Sequence, residues 1–258
     1  MPVRLLSVEL DGEVAEFSRD GATLVAETVG PGAPRVLLLH GLGMGRSVFA
    51  DLVPRLPGAV VAVDLPGFGE APEPPRPLSM PAHADLVAAH LRGRGGGPVL
   101  VIGHSMGTQV AAELAARYPE LVAGVVLAAP TVDDGARGVA RQALRFLQDL
   151  ASLDPRVVVR GAREYLRAGP HLGAKIRATV DHRPEQVYPR ITSPVLVLRG
   201  ERDPVCPAAW CRAVTAAMAD ARMAEVPGHG HETMISDAAP AAELISGFLA
   251  GIPAPGSP

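Results

Sequence analysis

Between residues 99 and 119 the chain reads VLVIGHSMGTQVAAELAARYP, an apolar run that passes through one serine into a run rich in alanine. Val99, Leu100, Val101 and Ile102 are short and largely β-branched, the pattern of a buried strand, whereas Thr108 to Arg117 is built of good helix formers. A strand therefore meets a helix at Ser105. The join is sharp, and Gly103 and Gly107, two residues to either side, remove side chains where the two backbones crowd. Ser105 itself is expected in a strained conformation with its hydroxyl pushed out above the sheet. A continuous apolar strand running straight into a helix belongs to a parallel sheet covered by helices, so this one junction constrains the whole chain to an α/β arrangement.

The rest of the chain keeps that rhythm. An opening hairpin is expected over residues 5–29, with Asp11-Gly12 or Asp20-Gly21 as its turn. Strands are then expected at 35–40 (RVLLLH), 59–64 (AVVAVD), 98–103 (PVLVIG), 122–128 (VAGVVLA), 194–199 (PVLVLR) and 222–226 (RMAEV), with helices near 47–56, 79–93, 106–118, 207–218 and 236–250. The segment 131–190 breaks the alternation: "RGVARQALRFLQDLA" and "VVVRGAREYLRAG" read as helical, and no strand follows until Val195. It is taken as a lid inserted into a core made of 1–130 and 191–258. Phe146, Leu147 and Leu150 recur there at helical spacing, which suits a lid packed on the body as well as one lining a pocket. "APEPPRPLSMP" and "RGRGGGP" read as loops and "GIPAPGSP" as a tail.

Composition narrows the function classes. With 258 residues, 48% hydrophobic and 20% charged, the chain can bury a sizeable core and is not disordered. A net charge of −3 offers no electrostatic footprint for nucleic acid or an anionic membrane. No apolar run reaches the roughly 18 residues of a membrane span. Glu9 and Asp11 stand where a secretory segment would stay apolar, which argues for the cytoplasm. Cys206 and Cys211 have the wrong spacing for a C-x-x-C pair and read as reduced structural thiols. Small-molecule chemistry remains. The oligomeric state is not legible.

A serine hydroxyl is a poor nucleophile until a base takes its proton. The G-x-S-x-G turn around Ser105 resembles a nucleophile elbow, whose partners follow in the order serine, acid, histidine. "GERDPVCP" follows the strand ending at Arg199, and "PGHGHETM" follows the strand ending at Val226. Asp203 and His231 thus fall in loops at the carboxyl edge of the sheet, the edge that carries Ser105 and where open α/β sheets bind ligands. "LLLHGLGMG" follows an early strand, and its glycines let backbone approach a carbonyl oxygen closely. The amides of Leu42 and Met106 are the candidate oxyanion donors.

Taken together, "HGLGMG", "DLPGFG", "GHSMG", "GERDP" and "GHGHE" resemble the α/β-hydrolase family of serine hydrolases, in family order and over nearly the whole chain, least so in the lid. The resemblance implies a mostly parallel sheet flanked by helices, a carboxylesterase-like activity through an acyl-enzyme on Ser105, and no cofactor. It also favours His231 over His229 as the base, because the family histidine follows a glycine a few residues beyond the strand end. Serine at 105, where the haloalkane dehalogenases and epoxide hydrolases carry aspartate, sets the chain apart from those relatives.

Other readings of the same residues stay open on sequence alone. Thioesters, lactones or a carbon–carbon bond beside a carbonyl suit the same machinery, related folds perform lyase or cofactor-free oxidative chemistry, and a non-catalytic binding module could share the fold. Glu201, Asp133 and Asp134 are reserve acids for Asp203. Residues 35–64 mimic a dinucleotide site with Asp64 on a ribose, but Arg46 stands where the third fingerprint glycine belongs, and Asp64 reads better as a carboxylate holding its own loop. His231-Glu232 lacks the second histidine of a zinc motif, since Ile235 stands there. The lid's eleven basic residues against seven acidic ones read as a solvated face, with an anionic acyl substrate as the lesser reading.

Overall fold

The computed structural model describes residues 10–138, 171–235 and 237–252. The expected apolar runs form strands: β1 Glu13–Arg19, β2 Ala22–Val29, β3 Pro34–Leu39, β4 Ala59–Asp64, β5 Val99–His104, β6 Val122–Ala128, β7 Val195–Gly200 and β8 Ala221–Val226. They join one sheet in the order β1-β2-β4-β3-β5-β6-β7-β8. The pairs β1–β2 and β2–β4 are antiparallel, and every later pair is parallel. The opening hairpin turns at Asp20-Gly21, with φ of 54° and 78°, the left-handed pair that a two-residue hairpin requires. Asp11-Gly12 lies ahead of β1.

The helices are α1 Met80–Arg94, α2 Met106–Arg117, α3 Leu172–Asp181, α4 Ala208–Ala216 and α5 Ala239–Ala250. Ser79 caps α1 by accepting from the Ala82 amide at 3.4 Å. The helix expected at 47–56 is instead two short 3-10 turns, Arg46–Phe49 and Val53–Arg55. Pro54 has no N–H to bond back to the Ala50 carbonyl, which breaks the ladder a continuous helix would need, while the Arg46 backbone and guanidinium are both drawn to Asp64.

Central strands buried on both faces explain the unbroken apolar runs. Leu37, Leu39, Val61, Val101, Val125 and Val197 pack with Val87 of α1, Val110 and Leu114 of α2, and Trp210 and Val214 of α4. Their alternating neighbours Val36, Leu38, Val60, Ile102, Val126 and Leu198 pack with Phe49 and Val53 of the 3-10 turns and Ile245 and Phe248 of α5. Each fully buried leucine, isoleucine or valine of this kind stabilises the fold by roughly 1.5–3 kcal/mol before entropy is counted.

Between β6 and β7 the described residues include a 3-10 turn at Asp134–Ala136, then α3, then 3-10 turns at Pro184–Gln186 and Tyr188–Arg190. The expected helices at 137–151 and 157–169, with Phe146, Leu147 and Leu150, lie almost wholly outside the described residues. α3 is docked on the body through Lys175, whose buried ammonium donates to Gly67 O at 2.6 Å and to Glu73 at 2.7 Å. No described helix is long and apolar enough to cross a membrane.

Candidate active site

Ser105 sits between β5 and α2 with φ 51° and ψ −117°, a left-handed conformation that a non-glycine residue adopts only under constraint. The constraint is visible. A Cβ on Gly103 would lie 2.3 Å from Gly107 O, and one on Gly107 would lie 2.2 Å from Leu39 O. Any side chain at either position would push the helix off the sheet. The Ser105 amide donates to Ala128 O of β6 at 2.9 Å, and its carbonyl accepts from the Thr108 amide and hydroxyl. With its backbone groups engaged in this way, the half-buried Ser105 turns its side chain toward the carboxyl edge of the sheet.

At that edge the loops after β7 and β8 bring two more residues in. Ser105 Oγ donates to His231 Nε2 at 3.0 Å, and His231 Nδ1 donates to Asp203 Oδ2 at 2.9 Å. Both partners are buried. The other Asp203 oxygen accepts the amides of Val205 at 2.8 Å and Cys206 at 2.9 Å. Burial alone would push the Asp203 carboxyl pKa up, but the His231 charge, its hydrogen bond and the Cys206 and Val205 amides together hold it below the usual carboxylate range. An ionised carboxylate is thus held against the imidazole that faces the serine, which fixes the ring with Nε2 free to accept a proton.

The loop after β3 completes the edge. A Cβ on Gly41 would lie 3.2 Å from Ser105 Cβ, so the Gly41–Leu42 backbone passes directly over the serine. Among the described hydrogen bonds, the amides of Leu42 and Met106 reach no acceptor, and Met106 opens α2, whose N-terminus carries partial positive charge.

Two buried histidines that sequence reasoning did not single out support this arrangement. His40 Nδ1 donates to Gly41 O at 2.8 Å and its Nε2 accepts the Leu65 amide at 3.1 Å, tying the loop after β3 to the loop after β4. Burial lowers its pKa, despite the nearby Asp64 charge. His104 Nε2 donates to the main-chain oxygen of His231 at 2.9 Å. Their only trace in the sequence is a histidine beside a glycine in "HGLGMG" and "GHSMG".

The other candidate residues have separate work. Both Asp64 oxygens are engaged, by the Arg46 amide at 2.5 Å, the Arg46 guanidinium and the Glu70 amide at 2.9 Å, so this carboxylate holds its loop. Glu201 accepts the Gly228 amide at 2.9 Å and Asp133 the Gly135 amide at 3.0 Å, whereas the carboxylate bonded to His231 Nδ1 is that of Asp203. His229 turns away from Ser105, its ring nitrogens 2.9 Å from Pro227 O and 3.1 Å from Asp237 O. Cys206 and Cys211 are free, buried thiols. Among the described residues, no group of three or more His, Cys, Asp or Glu is placed to hold a metal ion.

A sequence model described as the alpha/beta hydrolase family matches residues 36–245. The chain is 32% identical over 250 residues to a pimeloyl-[acyl-carrier protein] methyl ester esterase of Neisseria meningitidis serogroup A, covering 84% of this chain and 77% of that one. It is 31% identical over 245 residues to the esterase of the same name from Chromobacterium violaceum, covering 83% and 92%. Among solved structures, a thermophilic esterase from Thermogutta terrifontis superposes with a TM-score of 0.79 at 23% identity, covering 93% of this chain and 99% of that one.

Proposed function

The chain belongs to the alpha/beta hydrolase family, and on that premise we propose that it is a hydrolase of ester bonds that cleaves a small carboxylic ester by acyl transfer through Ser105. The observation that carries this reading is the continuous hydrogen-bond chain from Ser105 Oγ through His231 to Asp203. In it, His231 Nε2 takes the hydroxyl proton as Oγ attacks the ester carbonyl carbon. Asp203 keeps the ring in the required tautomer and stabilises the imidazolium that forms. The carbonyl oxygen, now an oxyanion, is received by the amides of Leu42 and Met106, an interaction worth about 10²–10³ in rate per donor.

Collapse of that intermediate breaks the ester C–O bond, and His231 returns its proton to the leaving alkoxide. Water enters where the alcohol left and attacks the acyl carbon as His231 takes its proton. Collapse of the second tetrahedral intermediate then breaks the acyl C–Oγ bond, His231 returns the proton to Ser105 Oγ, and the acid is released. The relatives named as methyl ester esterases favour an ester of a small alcohol with a longer acyl chain. Residues 131–190 would act as a lid over this edge, since they enter and leave the sheet between β6 and β7, and α3 is held to the body by Lys175 and Glu73. The free thiols Cys206 and Cys211 fit a reducing, cytoplasmic setting.

The test is a fluorophosphonate probe followed by intact-mass and peptide analysis, alongside turnover of p-nitrophenyl and methyl esters. A single adduct on Ser105 and loss of turnover in Ser105→Ala at unchanged melting temperature are the expected results. Retained turnover in Ser105→Ala overturns the reading.

A further inference from the structure

Arg199 ends the apolar run of β7, yet its side chain is 6% exposed. On the parallel β7–β8 ladder it stands opposite Glu225, to which Nη1 donates. The remaining donors face the loop that carries Asp203. Nε donates to Cys206 O at 3.0 Å, and Nη2 donates to Glu201 O at 3.1 Å and more weakly to Asp203 O at 3.4 Å.

Those three carbonyls and the Asp203 carboxylate belong to one folded loop. The amides of Val205 and Cys206 turn onto Asp203 Oδ1, and the carbonyls of 201, 203 and 206 are gathered on the guanidinium. A buried carbonyl left without a donor costs as much as a lost hydrogen bond. The planar guanidinium, with five N–H groups in fixed directions, can serve several carbonyls and one carboxylate together; an ammonium has three donors and no fork. Resting on the assignment of Asp203 as the acid that orients His231, we propose that Arg199 is a positioning residue for this reaction, holding the Asp203 loop so that Oδ2 stays 2.9 Å from His231 Nδ1.

The chemistry asks for such a hold. Asp203 works only while its oxygen stays in line with the ring, and a misplacement of about 1 Å costs on the order of 10² in rate. Glu201 N to Val226 O and Arg202 N to His229 O, at 3.0 and 2.9 Å, further join this loop to the one bearing His231. A loosened Asp203 loop would therefore be felt at the base and not at the acyl-binding side.

The experiment compares Arg199→Lys, Arg199→Gln and Glu225→Gln with wild type on p-nitrophenyl butyrate, with kcat counted per fluorophosphonate-labelled site. Expected is a fall in kcat of about 10-fold for Arg199→Lys and about 10²-fold for Arg199→Gln, by the misplacement cost above, with KM nearly unchanged. The acidic limb of the kcat/KM profile should move to lower pH, because a displaced carboxylate stabilises the imidazolium less. Glu225→Gln, which leaves the loop carbonyls untouched, should show a smaller change in the same direction. Unchanged kcat per labelled site and an unmoved limb, with only a lower melting temperature, overturn the proposal. If Arg199→Gln does not fold, the other two variants decide the proposal by the same criteria. Asp203→Asn is the control: if it keeps wild-type turnover, the assignment of the acid fails; if it loses turnover while the Arg199 variants keep theirs, only the role of Arg199 fails.

Discussion

His104 Nε2 stands 2.9 Å from the main-chain oxygen of His231, so the residue that precedes the serine holds the backbone of the histidine facing it. The bond requires a proton on Nε2. Burial, reinforced by the adjacent His231, pushes the His104 pKa down to about 4, so at neutral pH the ring is an uncharged donor and adds no positive charge beside the imidazole that faces Ser105. The elbow and the loop after β8 are therefore coupled twice, once through side chains at Ser105 and once through this main-chain contact.

That coupling separates the two histidines of "PGHGHETM" in an experiment. His231→Ala should lower kcat by on the order of 10⁴–10⁶, the usual loss when a member of such a triad is removed. His229→Ala should keep most of the turnover, because its ring bridges Pro227 O and Asp237 O, and should cost stability on the order of 1 kcal/mol for the lost loop contact. Steady-state rates and urea melts of the two variants decide it. The reverse ranking would transfer the base to His229.

Gly107→Val should fail as a fold before it fails as a catalyst. A Cβ there meets Leu39 O at 2.2 Å and His40 O at 2.7 Å, and these are backbone atoms of β3 and its following loop that cannot rotate away. Overpacking of this kind is expected to destabilise by roughly 3 kcal/mol or more. Thermal melts and soluble yield measure it. A Gly107→Val protein that melts and turns over like wild type would remove the steric basis of the elbow.

Acid should unfold this protein through its buried histidines. Burial pushes His83 down to about 3, and His90 and His104 down to about 4. In the unfolded chain these rings titrate near 6.5. The folded state thus binds fewer protons below that value, so the stabilisation is complete above pH about 6.5 and is lost as pH falls toward the folded values. Each ring contributes a limiting slope of roughly 1 to 1.5 kcal/mol per pH unit. Denaturant melts between pH 4 and pH 8 should show a plateau above neutrality and a steep decline below pH about 6. His83→Gln should flatten that decline by about one ring's share, and an unchanged slope would show that His83 is not held neutral.

Much of the fold can be read locally. The apolar runs at Val36–Leu39, Val60–Val63, Leu100–Ile102, Val125–Leu127 and Val195–Leu198 name their own strands, because a strand covered on both faces must be apolar at every position. Ser105 is legible for a similar reason, since only glycines at 103 and 107 allow the strand-to-helix turn. The stretch 47–56 reads wrongly as a helix because propensity weighs near neighbours. What decides it is the burial of the Arg46 guanidinium against Glu27 and Asp64, in strands β2 and β4.

By itself, then, the sequence determined the α/β order of elements, the position of the serine and the two loops that could answer it. The resemblance already favoured His231 over His229. Only the tertiary structure brought the His231 ring within 3.0 Å of a serine hydroxyl 126 residues away, made Arg46 the partner of Asp64, and closed the donors of Arg199 on the Asp203 loop. The physical reason is the range of the forces involved. Helix, strand and turn preferences act over a few residues and leave their mark in periodicity and composition. Hydrogen bonds between side chains on different loops depend on strand order and register, which bring together residues whose neighbours in the chain carry no record of the contact.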